Sequence, residues 1–282
     1  MKRLIVAAFF LTSTVLMGQV LEVGNFTHVV ENLDRSIEFY RDAIGLEMTG
    51  APGPHAFSAN VVLSSLYDAP GAQSRMASFK LPESDVVLEI MEFQGLNATP
   101  VQSRFFDPGA ITLTLPVQDL ETVKTRLHRI KGLEWISAFG TGQVTVREPG
   151  GIFVTLSQPL GRGNRPPPEN IVSLAVTVED LDRTTRFYWE VLGFNPVNFR
   201  APNYADRKPV KASIHDPGAG VRQLRVGDFD AMVKALKAAG ATVVSAGGEP
   251  VSLGRNRAVI LRDMNNFFLQ VSESAPAQGA AK

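Results

Sequence analysis

Few residue types in this chain of 282 residues can carry out covalent or metal chemistry. There is no cysteine, which excludes a thiolate nucleophile, a disulfide and a zinc–thiolate centre. Histidine remains as an acid–base or metal-binding side chain, and the chain has four. The spacing predicts His128 on the polar side of a helix and His215 in a turn. The candidates for a site are therefore His28, which opens the strand-like run His28-Val-Val, and His55, which is predicted in a loop.

An internal repeat predicts the elements that position these residues. Residues 26–46 match residues 174–194, and residues 107–127 match residues 216–236. In each copy an apolar run is followed by apolar residues at helical spacing. The chain is therefore predicted to contain four strand–helix–strand units arranged as two pairs.

The ends of the repeated elements carry their own signals. Asn32 and Asp180 stand where a side-chain oxygen can accept a hydrogen bond from the first turn of a helix. Gly45 and Gly193 stand where a left-handed residue can end that helix. Turns rich in residues that tolerate a positive φ are predicted before the last strands, at residues 148–151 and 263–266.

These motifs resemble the vicinal oxygen chelate superfamily, which includes glyoxalase I, bleomycin-resistance proteins and extradiol dioxygenases. The resemblance rests on a strand ending in Val-x-Asp-Leu, a helix with Arg-Ser/Thr and Phe-Tyr, the Leu-Gly that follows, and an Asp-Pro-x-Gly-like hairpin. It covers most of residues 22–273. It implies an α+β fold of paired βαβββ modules whose curved sheets enclose a small-molecule cavity. It does not define the function, because this fold hosts isomerases, lyases, dioxygenases and binding proteins.

The resemblance also implies where metal ligands would lie. In metal-dependent members, one ligand lies on a module's first strand, seven residues before the helix-starting Asp, and another, often Glu, lies in the last strand. The first-strand positions here hold no histidine: they are Asn25, Thr112, Ser173 and Val221. The last-strand positions of the later modules hold no charge: they are Thr155 and Gln270. Only Glu89, in Val87-Leu-Glu-Ile, matches the apolar-Glu-apolar strand of the family.

His28 is the candidate partner of Glu89. It lies four residues before Asn32 and not seven, and an odd shift in a strand turns a side chain to the opposite face. Unless a bulge shortens the junction, Asn25 faces the cavity and His28 faces the helix. Glu92 has the opposite parity to Glu89 and is expected in solvent. The metal site is therefore expected to be incomplete, with Glu89 and His28 as candidate ligands of iron, manganese, nickel or zinc, and no tightly bound metal is the favoured prediction.

Two functional hypotheses follow. The first is small-molecule binding in the cavity of the first domain. Its lining candidates are Asn25, Thr112, Thr155, His55, Ser173 and Gln270. The alternative is a metal-dependent lyase, isomerase or dioxygenase that uses Glu89 and His28. A homodimer stays open, since such modules pair within a chain or between chains.

Composition and the position of a Pro-rich segment predict the domain organisation. The chain has 28 Lys and Arg against 28 Asp and Glu, which gives no electrostatic reason to bind nucleic acid or an anionic membrane. A first domain is predicted over residues 22–160 and a second, shortened one over 171–273. The Pro-rich residues 161–170 are the predicted linker, and residues 274–282 a disordered tail.

The N-terminus has the layout of a secretory signal. Two basic residues, Lys2 and Arg3, precede the apolar run 4–17 and then the small residue Gly18. The run is shorter than the roughly 20 apolar residues that a permanent membrane span needs. Residues 1–18 are therefore predicted to be a signal peptide, and the protein to be periplasmic or secreted.

Overall fold

The structure is a computed structural model that describes residues 19–50, 56–136, 142–158, 172–194 and 207–274. The predicted signal peptide, the linker, His55 and the tail after residue 274 lie outside these residues. No helix in the described ranges is both long enough and apolar enough to cross a membrane.

The described residues form fifteen strands, five α-helices and short helical turns. The strands are β1 (Val20–Val30), β2 (Met48–Thr49), β3 (Ser58–Ala59), β4 (Gln73–Lys80), β5 (Val87–Gln94), β6 (Ile111–Pro116), β7 (Glu134–Ile136), β8 (Gln143–Arg147), β9 (Phe153–Ser157), β10 (Ser173–Val176), β11 (Gly220–Val226), β12 (Thr242–Val243), β13 (Val251–Leu253), β14 (Asn256–Arg262) and β15 (Phe268–Glu273). The α-helices are α1 (Leu33–Ile37), α2 (Val61–Leu66), α3 (Leu120–Leu127), α4 (Leu181–Arg186) and α5 (Phe229–Ala238). The π-helical turns Glu38–Ile44 and Phe187–Val191 extend α1 and α4, and a 3-10 helix spans Ala246–Gly248.

The four predicted units appear as four modules, each beginning with a strand and a helix. The first contains β1–β5, the second β6–β9, the third β10 and α4, and the fourth β11–β15. The predicted helix starts are confirmed: Asn32 accepts from the backbone N–H of Arg35, and Asp180 from that of Arg183. The predicted helix stops are also confirmed, since Gly45 has φ 94° and Gly193 has φ 73°.

One sheet has ten strands and joins the first module to the fourth. Its order is β12-β14-β15-β11-β1-β5-β4-β2, with β13 paired to β14 and β3 to β4. The two first strands, β1 and β11, pair in antiparallel fashion at its centre. Each is flanked on its other side by the last strand of its own module, in parallel pairing: β5 beside β1 and β15 beside β11.

The other sheet has five strands, in the order β10-β6-β9-β8-β7, and joins the second module to the third. The sheets thus pair the first module with the fourth and the second with the third. The domain boundaries at residues 22–160 and 171–273 stay a prediction. The repeated first strands are alike, so their sequences do not determine which two pair. The third module contributes only β10 to a sheet in the described residues. Its shortening stays a prediction, because residues 195–206 lie outside them.

Burial follows the strand alternation. In β6 the odd-numbered Ile111, Leu113 and Leu115 are buried, whereas Thr112 and Thr114 on the other face are partly exposed. The main core contains apolar side chains from all four modules. A second apolar cluster covers part of the opposite face of the ten-stranded sheet. It includes Val29, Val221, Phe268, Leu66 and Tyr67.

Candidate functional site

The ten-stranded sheet places Glu89 among neutral hydrogen-bond donors. Glu89 Oε1 accepts from Asn25 Nδ2 at 2.8 Å, and Oε2 accepts from Thr27 Oγ1 at 2.7 Å and Gln223 Nε2 at 2.9 Å. We call these four residues the Glu89 cluster, and the side of the sheet that carries them the Glu89 face. Both oxygens of the only carboxylate in the cluster are therefore already bound by donors.

The backbone fixes the orientation of these donors. Asn25 Oδ1 accepts from the backbone N–H of Val87 at 3.1 Å, so its NH₂ group must point to Glu89. Thr27 is in register with Glu89 on the parallel neighbour β5. Asn25 lies two residues before Thr27 and therefore on the same side of β1. The pairing of β1 with β11 shifts register at Asn25, between Val23 and Phe26. The cluster thus depends on strands from the first and fourth modules.

Tyr67 covers the apolar side of the cluster. Its ring is buried in the second apolar cluster, and Thr27 and Glu89 are near enough to its hydroxyl to influence the pKa of the phenol. Burial raises the pKa of the Tyr67 phenol, Thr27 acts in the opposite direction, and the Glu89 charge raises it further. Tyr67 therefore stays protonated at neutral pH and can act as a hydrogen-bond donor.

The predicted cavity-lining residues divide between the two sheets. Gln270 lies on the Glu89 face, because it is in register with Gln223 on the neighbouring strand β15. Thr112, Thr155 and Ser173 all lie on the five-stranded sheet, and the hydroxyl of Thr155 pairs with that of Thr145 at 2.8 Å. The structure therefore brings Asn25 and Gln270 to the sheet face that carries Glu89, and separates the other three from it.

His28 does not meet Glu89, as its strand parity predicts. Its Nε2 lies 2.7 Å from Glu148 Oε1, and both side chains are 0% exposed. His28 Nδ1 lies 3.2 Å from the carbonyl of Ala219, which can only accept, so Nδ1 carries a hydrogen. One further proton is then shared between Nε2 and the Glu148 carboxyl. The pair links β1 to the turn between β8 and β9 of the other sheet.

The turn that holds Glu148 is closely fitted to His28. Glu148 Oε2 accepts from the backbone N–H of Gly150 at 2.8 Å. A Cβ at Gly150 would lie 2.6 Å from His28 Nε2 and 2.5 Å from Val30 Cγ1. Tyr40 is buried close by; burial raises the pKa of its phenol and the Glu148 charge raises it further. A cleft of about 180 Å³ opens at this turn, but the His28 and Glu148 side chains are closed off from it.

The position of Glu92 corrects the expectation that it is solvated. Its side chain is 12% exposed and lies 2.7 Å from Arg75 Nη2. It also accepts from the backbone N–H of Leu33 at 2.7 Å, so it caps the start of α1. Glu92 does face away from Glu89, as its parity predicts, but its role there is structural.

The residues around Glu89 do not fit a divalent metal ion. Such a site usually takes three or more protein ligands from histidine and carboxylate side chains. Within the ranges that the structure describes, no three His, Cys, Asp or Glu side chains form a group that could hold a metal. The hydrogens of Asn25, Thr27 and Gln223 point at the Glu89 oxygens that a metal would need.

Sequence reasoning missed Thr27, Gln223 and Tyr67. Counting seven residues back from each helix start selected Asn25 and Val221, whereas Thr27 and Gln223 lie five residues back. Seven and five are both odd, so Thr27 shares a strand face with Asn25, and Gln223 shares one with Val221. Strand parity alone could therefore have identified Thr27 and Gln223 as candidates. Nothing in the local sequence links Tyr67 to the cluster, because it comes from the segment after α2.

Two first strands lie at the centre of one sheet, with parallel last strands beside them. This fold is that of solved glyoxalase I structures. No protein-family model matches the chain, and no curated protein matches it. The similarity is to solved structures, and it confirms the fold that the repeat motifs predict.

Glyoxalase I from Zea mays is 16% identical, with a TM-score of 0.52 over 91% of this chain and 92% of that chain. A mutant of the maize enzyme is 15% identical, with a TM-score of 0.56 over 91% and 92%. A candidate dioxygenase from Bacillus subtilis is 14% identical, with a TM-score of 0.51 over 92% and 86%. At these identities the likeness shows the fold alone.

Proposed function

We propose that this protein binds a small organic molecule on the Glu89 face, without a metal ion held by Glu89. The observation that carries the proposal is the engagement of both Glu89 oxygens by Asn25, Thr27 and Gln223. A buried or half-buried carboxylate needs a cation or hydrogen-bond donors. Here the donors are built into the sheet, so the charge is stabilised without an ion.

A cleft on the same side of the ten-stranded sheet as Glu89 supports the proposal. It has a volume of about 320 Å³ and lies between α2 and β4, where Leu63, Ser74 and Met76 are among its lining residues. Met76 is in register with Met91, which belongs to the apolar cluster on the Glu89 face. The register of Met76 therefore places this cleft on the same side of the sheet as Glu89. Its size is at the lower end of the range of small-molecule sites, roughly 300–1,000 Å³.

No comparable observation supports the alternative of a metal-dependent enzyme. It requires His28 and Glu89 to share one ion, whereas His28 is bound to Glu148 on the other face of the strand. The maize and Bacillus structures carry the names of enzymes, but their likeness to this chain extends to the fold only.

Elemental analysis tests the metal part of the proposal. Protein purified without chelators should contain well under one equivalent of divalent metal. Glu89→Gln and the control Glu47→Gln, at an exposed position, should not change this content. Stoichiometric iron, manganese, nickel or zinc that is lost in Glu89→Gln alone would overturn the proposal and favour a metalloenzyme.

A fragment screen tests the binding part. Small neutral compounds are added to isotope-labelled protein, and their effects on the NMR spectrum are mapped with and without EDTA. We expect ligands that perturb residues of the Glu89 face, with affinities that EDTA leaves unchanged. Hits confined to other surfaces would contradict the proposal.

We also propose that the protein acts outside the cytoplasm. The basic residues, the short apolar run and Gly18 at the N-terminus support removal of residues 1–18 on export. Mass spectrometry of the protein from its producing cell should find a chain that begins near residue 19. A full-length species in the cytoplasm would contradict this.

A further inference from the structure

Arg147 and Arg262 occupy the same position in the two copies of the repeat. Arg147 ends β8 and is in register with Phe153 on β9, and its guanidinium lies 4.5 Å from the centre of that ring. Arg262 ends β14 and is in register with Phe268 on β15, with its guanidinium 5.6 Å from the centre of the ring. The partners of the two arginines can therefore be compared directly.

The adjoining strand supplies a carboxylate in one copy and a neutral residue in the other. Glu134 on β7 is in register with Arg147, and its Oε2 accepts from Arg147 Nε at 2.6 Å. Thr242 on β12 is in register with Arg262, so the corresponding position there carries no charge. Within the described ranges Arg262 forms no ion pair, and its Nε is buried without a hydrogen-bond partner.

A second buried donor belongs to the same hairpin. Asn266, in the turn between β14 and β15, has its Nδ2 buried with no partner among the residues that the structure describes. The residue at this place in the other copy is Gly151, whose carbonyl accepts from Arg147 Nη1 at 3.4 Å. Buried donors without an acceptor cost stability. The hairpin of the fourth module therefore has two donor atoms that an added acceptor would stabilise.

The acidic residues close to Arg262 are already bound. Asp263 follows it directly, but its side chain is buried and accepts from a tyrosine hydroxyl at 2.9 Å. Asp107, in the loop that packs on this turn, is paired with Arg104 at 2.9 Å. The segment 207–211 donates a backbone N–H to Asp107 and carries two exposed lysines. The surroundings of Arg262 are thus favourable to an anion.

We infer that Arg262 binds the carboxylate of a small organic anion, in the place where Glu134 meets Arg147 in the other copy. The repeat then satisfies the same guanidinium in two ways, once from within the chain and once from a ligand. Arginine suits this role because its N–H groups match the two oxygens of a carboxylate. Arg262 is partly exposed and Thr242 is exposed on the edge strand β12, so a solute can approach from this side.

This site is separate from the Glu89 cluster. In the ten-stranded sheet β14 is the fourth strand from β5, which corresponds to roughly 19 Å at the usual strand spacing. The inference therefore does not rest on the proposed function, and a failure of either leaves the other standing.

The test uses sodium acetate as the probe, with sodium chloride and sodium phosphate at equal ionic strength. Binding is followed by NMR at the Nε–H signal of Arg262, which is assigned by its loss in Arg262→Lys. We expect acetate to shift this signal saturably, and chloride to leave it in place. Thr242→Glu supplies the carboxylate from within the chain and should weaken acetate at least tenfold.

The reciprocal variant Glu134→Thr should create the same response in the other copy, so that acetate shifts the Nε–H signal of Arg147. As a control, Arg225→Lys, at an exposed arginine paired with Glu22, should leave acetate binding at Arg262 unchanged. An acetate response that Thr242→Glu does not weaken, an equal response to chloride, or a response to phosphate but not to acetate would each overturn the inference.

A second measurement separates binding from a structural effect of the substitutions. Without acetate, Thr242→Glu should unfold at the same or a higher denaturant concentration than wild type, because it gives Arg262 a partner. In Arg262→Lys, which keeps the charge but loses the Nε–H, the backbone signals of residues 263–266 report on acetate, and the affinity should again fall at least tenfold. A lower unfolding midpoint for Thr242→Glu, or an unchanged affinity in Arg262→Lys, would contradict the inference.

Discussion

Thr27 and His28 are consecutive on β1, and their side chains bind two different glutamates on opposite faces of the sheet. Thr27 Oγ1 donates to Glu89 at 2.7 Å, and His28 Nε2 lies 2.7 Å from Glu148. Alternation along a strand imposes this division. On one side β1 contributes to the proposed ligand site, and on the other side it contributes to the junction with the five-stranded sheet. Substitutions of Thr27 should therefore affect ligand binding, whereas substitutions of His28 should affect stability.

Replacing His28 should affect stability. The variant His28→Ala leaves the Glu148 carboxylate buried without its partner, and breaking such a pair costs about 3–5 kcal/mol of unfolding free energy. Denaturant titration followed by circular dichroism measures this. The control His128→Ala removes an exposed ring bound to the Lys124 carbonyl and should change little. Equal effects of the two variants would show that the His28–Glu148 pair contributes nothing specific.

Replacing Glu89 with Gln should lower the free energy of unfolding by about 1–2 kcal/mol. The NH₂ group introduced at position 89 would face the NH₂ group of Asn25, and both groups are donors. Asn25 cannot turn to accept, since its Oδ1 is held by the backbone N–H of Val87. The double variant Glu89→Gln with Asn25→Asp restores a donor–acceptor pair and should recover most of the loss. Denaturant titration of the two single variants and the double variant gives the coupling between the positions. Strict additivity would contradict the hydrogen bond between them.

The turn at Gly150 should not tolerate a side chain. The variant Gly150→Ala places a Cβ 2.5 Å from Val30 and 2.6 Å from His28, and such overpacking costs about 1–3 kcal/mol. At Gly227 the nearest atom to an added Cβ is 3.8 Å away, so Gly227→Ala is the matched control. Thermal unfolding of both variants tests the difference. A wild-type melting temperature for Gly150→Ala would mean that the turn can shift away from His28.

Stability should fall at alkaline pH. Burial raises the pKa values of Tyr40 and Tyr67 above the ordinary value of about 10. Below that pH both folded and unfolded chains keep these protons, so neither tyrosine makes stability depend on pH. Above it the unfolded chain loses protons that the folded chain retains, so the unfolding free energy decreases as pH rises.

Unfolding titrations between neutral pH and pH about 11 test this, with the ordinary tyrosine pKa near 10 as the point where the fall begins. A double variant with Tyr40→Phe and Tyr67→Phe should show a shallower fall. The chain has two further tyrosines, so the double variant is the reference for absorbance. Phenolate absorbance of the folded wild-type protein that is lost in the double variant would contradict the burial of these two hydroxyls.

Local structure could be predicted from the sequence because its signals are local. The side chains of Asn32 and Asp180 bond within the first helical turn, and Gly45 and Gly193 adopt the left-handed conformation. The parity of His28 relative to Asn32 also placed it correctly on the face away from Glu89. The role of Glu92 was missed, because its partners Leu33 and Arg75 belong to other elements.

The composition of the Glu89 cluster could not be predicted from the sequence. Gln223 meets Glu89 only because β1 pairs with β11, and the choice between similar first strands is made by packing across the whole sheet. Pairing between consecutive modules predicts Thr112 and Thr155 in one cavity with Glu89, whereas both belong to the second module and its separate sheet. The position of Gln270 beside Gln223 on the Glu89 face therefore becomes visible only in the folded chain.

The pairing of β1 with β11 also determines the order in which the protein can be assembled. Val20 and Val226 are partners although about 200 residues separate them, whereas the five-stranded sheet uses only residues 111–176. At about 5–20 residues per second, a ribosome needs roughly 10–40 s to produce the second half of that central pair. During this time the edge of β1 that will pair with β11 stays open. A chain released before residue 220 would lack Gln223 and Gln270, and no binding site of the kind proposed here could form in it.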